Sequence, residues 1–572
     1  MTTRSAERAG RSVGLVAALG GLLLGLLGAV IPPNSFVSSS RAAQPGVEPN
    51  AKSGPVGGLG YLKSEPTEQS AGKINSDILG CQSCHSGADT PGAKPFVAAL
   101  KSPEFVLLNE SVTWDQKDIH AAALKCLSED LGKQMEKVLK KYRGPDYSVT
   151  TAAECLVCHG ADLSPKKPLA DKKVDDFDLA PGGVTCTVCH GFHNNWQIAH
   201  YVRPKAKEEL PPWRAMMPAE KYSQGMRDLR NPVVKAVLCA SCHVGSPAEG
   251  KVVTHEMYAA GHPPLPPFEL ASYMEGEPKH WGYPAELKYF ERVKAGDTWK
   301  LYHFHPADKE SYLTRHYAIG AVASLRAEAE LLLADATLAG AKHDILDFAR
   351  FDCYACHHEL HPGGERQQRG YDGAPGRTPL RAAAGVPVGV VAKHAEGIDA
   401  GGLKAKAVGF EDKWLALKKA ALAKQFGDPD KIKETAPAVI AWCDAFLQVQ
   451  SETDEPLYPA AQATRLREML TQTALGRTAT ADPEAAMCLA WGARTLAREA
   501  KAFPADEMKD MKVLALGGIL PLNVRMEPYS KKGMDDALVP ERAKYADRMK
   551  KIAVFESSKF VDAFKNVFPM PK

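Results

Sequence analysis

The sequence predicts a mainly α protein in two parts, a loop-rich region followed by a C-terminal α-helical domain. Three observations carry this. The pentapeptide Cys-x-x-Cys-His occurs five times, starting at Cys81, Cys155, Cys186, Cys239 and Cys353. Beyond residue 400, apolar side chains recur at helical spacing. No stretch shows the apolar–polar alternation of a half-buried strand.

The five motifs set the chemistry. Two thiols one helical turn apart can reach the two vinyl groups of one porphyrin, and the His that follows lies under its iron. Cys81/Cys84, Cys155/Cys158, Cys186/Cys189, Cys239/Cys242 and Cys353/Cys356 are therefore the expected attachment points of five covalent haem c groups. His85, His159, His190, His243 and His357 are the expected proximal ligands. A four-thiolate zinc site from Cys155, Cys158, Cys186 and Cys189 is the competing reading. It explains neither the His after every pair nor the odd number of pairs. Cys126, Cys443 and Cys488 lie outside the motifs; the last two are either a disulfide or buried thiols.

From the N-terminus, Arg4, Arg8 and Arg11 precede an apolar run from Val13 to Ile31. Residues 1–31 thus read as an export signal or a membrane anchor, and both place the rest of the chain outside the cytoplasm. Residues 32–73 are rich in Pro, Gly, Ser and Ala and read as a flexible linker. Residues 74–361 hold all five motifs. Their short, Pro-rich segments suggest that porphyrins supply most of the apolar interior, with the second and third sites as neighbours because Cys155 and Cys186 lie close in sequence. A long helix is expected from Ser311 to Ala339, ending at Gly340, and a short one over HDILDFARFDCYACHHEL. Residues 362–400 read as a linker.

Residues 401–572 form the predicted α-helical domain. One helix is expected from Asp412 to Phe426, stopped by Gly427 and Pro429. A second is expected from Thr435 through Leu447, and a third opens at the Asp482-Pro483 cap and reaches Ala500. Pro540 is a candidate start for the last. The formal charge of +3 points to no nucleic-acid partner. Haem propionates would shift it by about one negative charge per haem.

Eighteen histidines leave thirteen beyond the motifs. His120, His200, His255 and His262 follow motifs closely and are the distal candidates. His193, His280, His303, His305, His316, His343, His358, His361 and His394 are weaker, and the fifth distal ligand stays open among them. His120 falls in TWDQKDIHAAAL, which reads as a helix.

Several strings sharpen this: WDQKDIHAAAL, GGVTCTVCHG with Trp196 and His200, GMRDLRNP before LCASCHVG, and HEMYAAGHPPLPPFELASYMEGEPKHW. Together they resemble the cytochrome c-554-like multihaem family, while FDCYACHHEL looks like the terminal motif of related multihaem proteins. The resemblance spans about Cys81 to Leu360. It implies electron transfer through closely stacked, mostly His/His-ligated haems, with His120, His200, His255 and His262 at the family's distal positions. The best-known member has four haems; this chain departs from it with five motifs and an added C-terminal domain.

The expected function is electron transfer on the periplasmic side between redox partner proteins, expected to be membrane-associated, with no catalytic residue. The alternative is an oxidoreductase with one open haem acting on nitrite, hydroxylamine or nitric oxide. Pentahaem nitrite reductases mark such a haem with Lys in place of the motif His, whereas all five motifs here end in His. The C-terminal helices read equally as a docking module or as a structural cap.

Overall fold

The computed structural model describes residues 78–86, 108–164, 167–179, 183–191, 225–280, 310–342, 345–358, 361–364, 373–381, 383–453, 455–476, 482–500 and 557–568, with isolated residues between. The export segment, residues 1–31, and the helix expected at Pro540 lie outside them. The described residues are mostly helical. Strand is confined to one antiparallel pair, β1 (Ala161–Asp162) with β2 (Phe177–Asp178).

The first half is built from short helices: α1 (Ile78–His85), α2 (Glu110–Lys117), α3 (Asp130–Arg143), α4 (Ala153–His159) and α5 (Cys186–His190). α3 is amphipathic and places Met135 and Leu139 in a small core with Leu127, Val149, Leu156, Val157 and Phe177. The basic groups in its last turn, Lys140, Lys141 and Arg143, complement the helix dipole. The helix expected around His120 is interrupted. α2 stops at Asp118, whose carboxylate accepts from the His120 N–H and opens a separate 3-10 turn, Ile119–Ala122.

Next come α6 (Pro232–His243), α7 (His255–Ala260), α8 (Leu270–Gly276) and the 31-residue α9 (Tyr312–Lys342). α9 falls close to its expected span, although it continues through Gly340. It is apolar on every side, so it is buried: Ala318, Ile319, Val322, Leu325, Ala329 and Ala336 are all sequestered. Its charges are paired, Arg315 with Glu310 at 2.8 Å and Arg326 with Asp444 at 2.5 Å. The Arg315–Glu310 pair is buried on both sides, and removing one partner would cost about 3–5 kcal/mol. Here protein side chains, rather than porphyrins alone, supply the apolar interior. The short helix expected after α9 is instead two 3-10 turns, Phe348–Arg350 and Cys353–Ala355. Between them the chain is extended, held by the Phe351–Leu380 bridge and by the Asp352 N–H donating to Pro379.

The C-terminal helices are α10 (Gly385–Ala395), α11 (Leu403–Ala407), α12 (Phe410–Leu422), α13 (Pro429–Glu452), α14 (Ala460–Ala474), α15 (Pro483–Glu499) and α16 (Ser557–Val567). α10 lies within the stretch read as a linker, yet Val388, Val391, Ala392 and Ala395 are buried. α9 packs against α13, α6, α8, α10 and α15. One apolar core therefore runs from Val233 to Phe568, across the boundary placed at residue 361. Cys443 and Cys488 are buried free thiols on α13 and α15, so no disulfide joins them.

Candidate functional site

Each pentapeptide occupies a helical turn. α1, α4, α5 and α6 end on His85, His159, His190 and His243, and the Cys353–Ala355 turn leads into His357, whose N–H donates to the Cys353 carbonyl at 2.8 Å. This places both thiols and the His on one helical face. Asn231 caps α6, accepting from the Val233 N–H at 2.9 Å, and its side-chain amide donates to Ser451 on α13 at 2.7 Å.

None of the ten motif cysteines is joined in a disulfide. Cys81, Cys84, Cys155, Cys158, Cys186, Cys189, Cys239, Cys242 and Cys353 are half-buried, and Cys356 is exposed. Cys356 thus lies nearer the surface than an attachment point within a porphyrin-lined interior would suggest. Cys356 follows a single 3-10 turn, its N–H donating to the Cys353 carbonyl at 3.3 Å, and the next residue, His357, is exposed as well.

Every motif histidine faces one other histidine. The ring centroids are 6.4 Å apart for His85–His200, 6.1 Å for His243–His120 and 6.5 Å for His159–His262. They are 6.3 Å apart for His190–His280 and 6.4 Å for His357–His255. Over the same pairs the interplanar angle runs from 18° to 77°. Simple ring packing would let spacing change with angle, whereas a shared atom between the rings fixes the spacing. Two imidazoles binding one metal ion, with each nitrogen at about 2.0–2.1 Å, have centroids roughly 6.3 Å apart. The residues fit a haem iron held between two histidines at all five positions.

Long-range contacts deliver the facing rings. His255 opens α7, its N–H held by Asp347 at 2.9 Å. The chain then reverses at Gly261 (φ 118), so His262 lies at the other end of the same short helix and serves a different motif. Arg143 braces α7 against α3 and α4, donating to Glu256 and Glu154 at 2.8 Å each. His200 packs against buried Trp196 at 5.0 Å, and His243 against Tyr273 at 4.9 Å.

Electrostatics divides the rings into two groups. Burial pushes His190, His243 and His262 down to about 4, with His280 and His85 adding repulsion at His190 and His120 doing so at His243. Burial also lowers His159. At His85 and His120 burial likewise opposes the charge, but the Glu110 and Asp118 carboxylates outweigh it and raise the pKa. Glu110 accepts from His85 Nδ1 at 2.8 Å and from the Leu108 N–H at 3.1 Å. Leu108 reaches it from a left-handed backbone (φ 60), which costs about 1–2 kcal/mol for a residue with a Cβ. Asp118 Oδ1 accepts from both the N–H and Nδ1 of His120, at 2.9 Å each.

Sulfur contacts link motifs other than the second with the third. The Cys186 sulfur lies beside that of Cys81, and the Cys158 sulfur beside that of Cys242. The direct neighbours are thus the first with the third and the second with the fourth. The four thiols of the zinc reading have different neighbours, and among the described residues no group of three or more His, Cys, Asp or Glu converges on a metal position.

His280, which spacing along the chain placed among the weaker candidates, is the histidine that faces His190. Its signal was its place in the KHW that ends the longest family-like string. Of the other weaker candidates, His316 is buried with Nδ1 toward the Tyr312 carbonyl at 2.8 Å, and His394 packs against Tyr458. His361 is exposed, with Nδ1 at 3.2 Å from the Pro362 carbonyl. His193, His303, His305 and His343 lie outside the described residues.

Residues 108–191 match the family described as cytochrome c554 and c-prime. No curated protein and no solved structure matches the chain significantly.

Proposed function

We propose that this chain is a c-type cytochrome working in electron transfer, a five-haem carrier with every iron held by two histidines; its similarity to the cytochrome c554 and c-prime family over residues 108–191 supports the covalent haem c. The observation that carries the reading is the recurrence of the 6.1–6.5 Å histidine spacing at all five motifs. The ligand pairs are His85/His200, His159/His262, His190/His280, His243/His120 and His357/His255. Haem c would supply one-electron exchange at iron, and the chain's own work is to hold the sites close and set their potentials.

Two side chains on each iron leave no coordination position for a substrate. That favours a carrier over an oxidoreductase acting on nitrite, hydroxylamine or nitric oxide. The basic and apolar start of the chain supports work on the periplasmic side, with membrane-associated redox proteins as donor or acceptor. Among the described residues no helix is long and apolar enough to cross a membrane. For the C-terminal helices, the core they share with α9 supports a structural cap over a docking module.

Mass spectrometry of the exported holoprotein should show five haem additions. Low-temperature electron paramagnetic resonance should show five low-spin irons. His280→Met should convert one site to His/Met ligation with a raised potential while all five attachments persist. A high-spin iron that binds and turns over nitric oxide or hydroxylamine would establish the oxidoreductase instead.

A further inference from the structure

The axial histidines differ in what holds their outer nitrogen. His85 Nδ1 faces half-buried Glu110 at 2.8 Å and His120 Nδ1 faces buried Asp118 at 2.9 Å. His159 and His262, which face each other, instead have Nδ1 at 2.7 Å from neutral backbone carbonyls, those of Ala123 and Pro263. The same fold thus offers two kinds of outer partner, charged and neutral.

We propose that Glu110 and Asp118 are positioning residues that lower the reduction potentials of the sites at His85/His200 and His243/His120 below that at His159/His262. This rests on the two-histidine reading of the sites. A carboxylate accepting the Nδ1–H bond moves electron density toward Nε2 and makes the imidazole a stronger donor. A stronger donor stabilises ferric over ferrous iron, so the electron is held less tightly. A backbone carbonyl, carrying no net charge, does this more weakly.

Each carboxylate is held by a backbone N–H as well as by the ring it faces. Glu110 opens α2 and is also held by the Leu108 N–H, while Asp118 is anchored by the His120 N–H. Both acceptors therefore stay in place whichever oxidation state the iron holds. The result is a graded series, with low-potential sites separated from a higher one.

The test is spectroelectrochemical titration of the full-length holoprotein beside Glu110→Gln and Asp118→Asn. Each substitution keeps an oxygen acceptor and removes the charge. Each should shift the redox equilibrium of one site about tenfold toward the ferrous form, a rise of 59 mV for one electron, with five low-spin haems retained. Glu136→Gln, whose carboxylate binds Lys140 and Ser148 instead, should shift none. Shifts under twofold in both variants, with five low-spin haems, would overturn the proposal, as would loss of axial ligation in both, which would make the carboxylates purely structural. If one variant does not fold, the other decides alone. Fewer than five low-spin irons in the unmodified protein would instead refute the two-histidine reading itself.

Discussion

His394 lies apart from the haem motifs, yet burial holds its ring down to about 4. It is 0% exposed, donates Nε2–H to the Gln462 carbonyl at 2.9 Å, and leaves Nδ1 without a partner. In the unfolded chain the same ring titrates near 6.5. Between those values the unfolded state binds a proton that the folded state refuses, so stability falls as pH drops from about 6.5 toward 4. His394→Gln should remove that contribution. Guanidinium unfolding at pH 7 and 4.5 should show the variant losing roughly 2–3 kcal/mol less on acidification than the unmodified protein. At this same scale the motif cysteines and histidines were legible, because five adjacent residues specify them. Glu110 and Asp118 were not, since their value lies in which ring nitrogen they meet. Nor was the exposure of Cys356, which depends on what packs over its turn.

Among the helices, α15 shows what local signals can and cannot decide. The Asp482-Pro483 pair predicted its start, and Asp482 accepts the Ala485 N–H at 2.9 Å. The same dipeptide recurs at Asp428-Pro429, where Gly427 and Pro429 mark only a stop for the preceding helix in the sequence reading. It is in fact the start of α13, which runs on through Pro437 to Glu452. The crossing of α15 over α9 was not legible at all. A Cβ at Gly492 would lie 2.3 Å from the ring of Tyr317, which is 1% exposed. Alanine is the better helix former by about 1 kcal/mol, but the ring has nowhere to move. Gly492→Ala should therefore destabilise by about 1–3 kcal/mol from overpacking, seen as a lowered Tm in thermal unfolding. An unchanged or raised Tm would mean that the helices separate freely.

For the whole molecule, the decisive feature is the core that α9 shares with α6, α8, α10, α13 and α15. A chain ending before residue 362 would keep all five motifs but expose the face of α9 that α10, α13 and α15 cover. Such a chain should aggregate or lose its haem-loaded monomer on size-exclusion chromatography. A soluble five-haem monomer from that truncation would show that the motif region folds alone.

By itself the sequence determined the mainly helical character and the placing of the motif cysteines and histidines within one helical turn. Thiol and His spacing within one helical turn is a local property, and so is the apolar periodicity of a helix. Tertiary structure decided which second histidine meets each motif. His200 reaches back to His85, His120 forward to His243, and His280 back to His190. It also decided that α9 joins the two parts of the chain. Such partners lie far apart in sequence, and only the packing of intervening elements fixes the distance between them. A ring spacing of 6.1–6.5 Å leaves no trace in composition or period; it exists only once the chain has closed around each site.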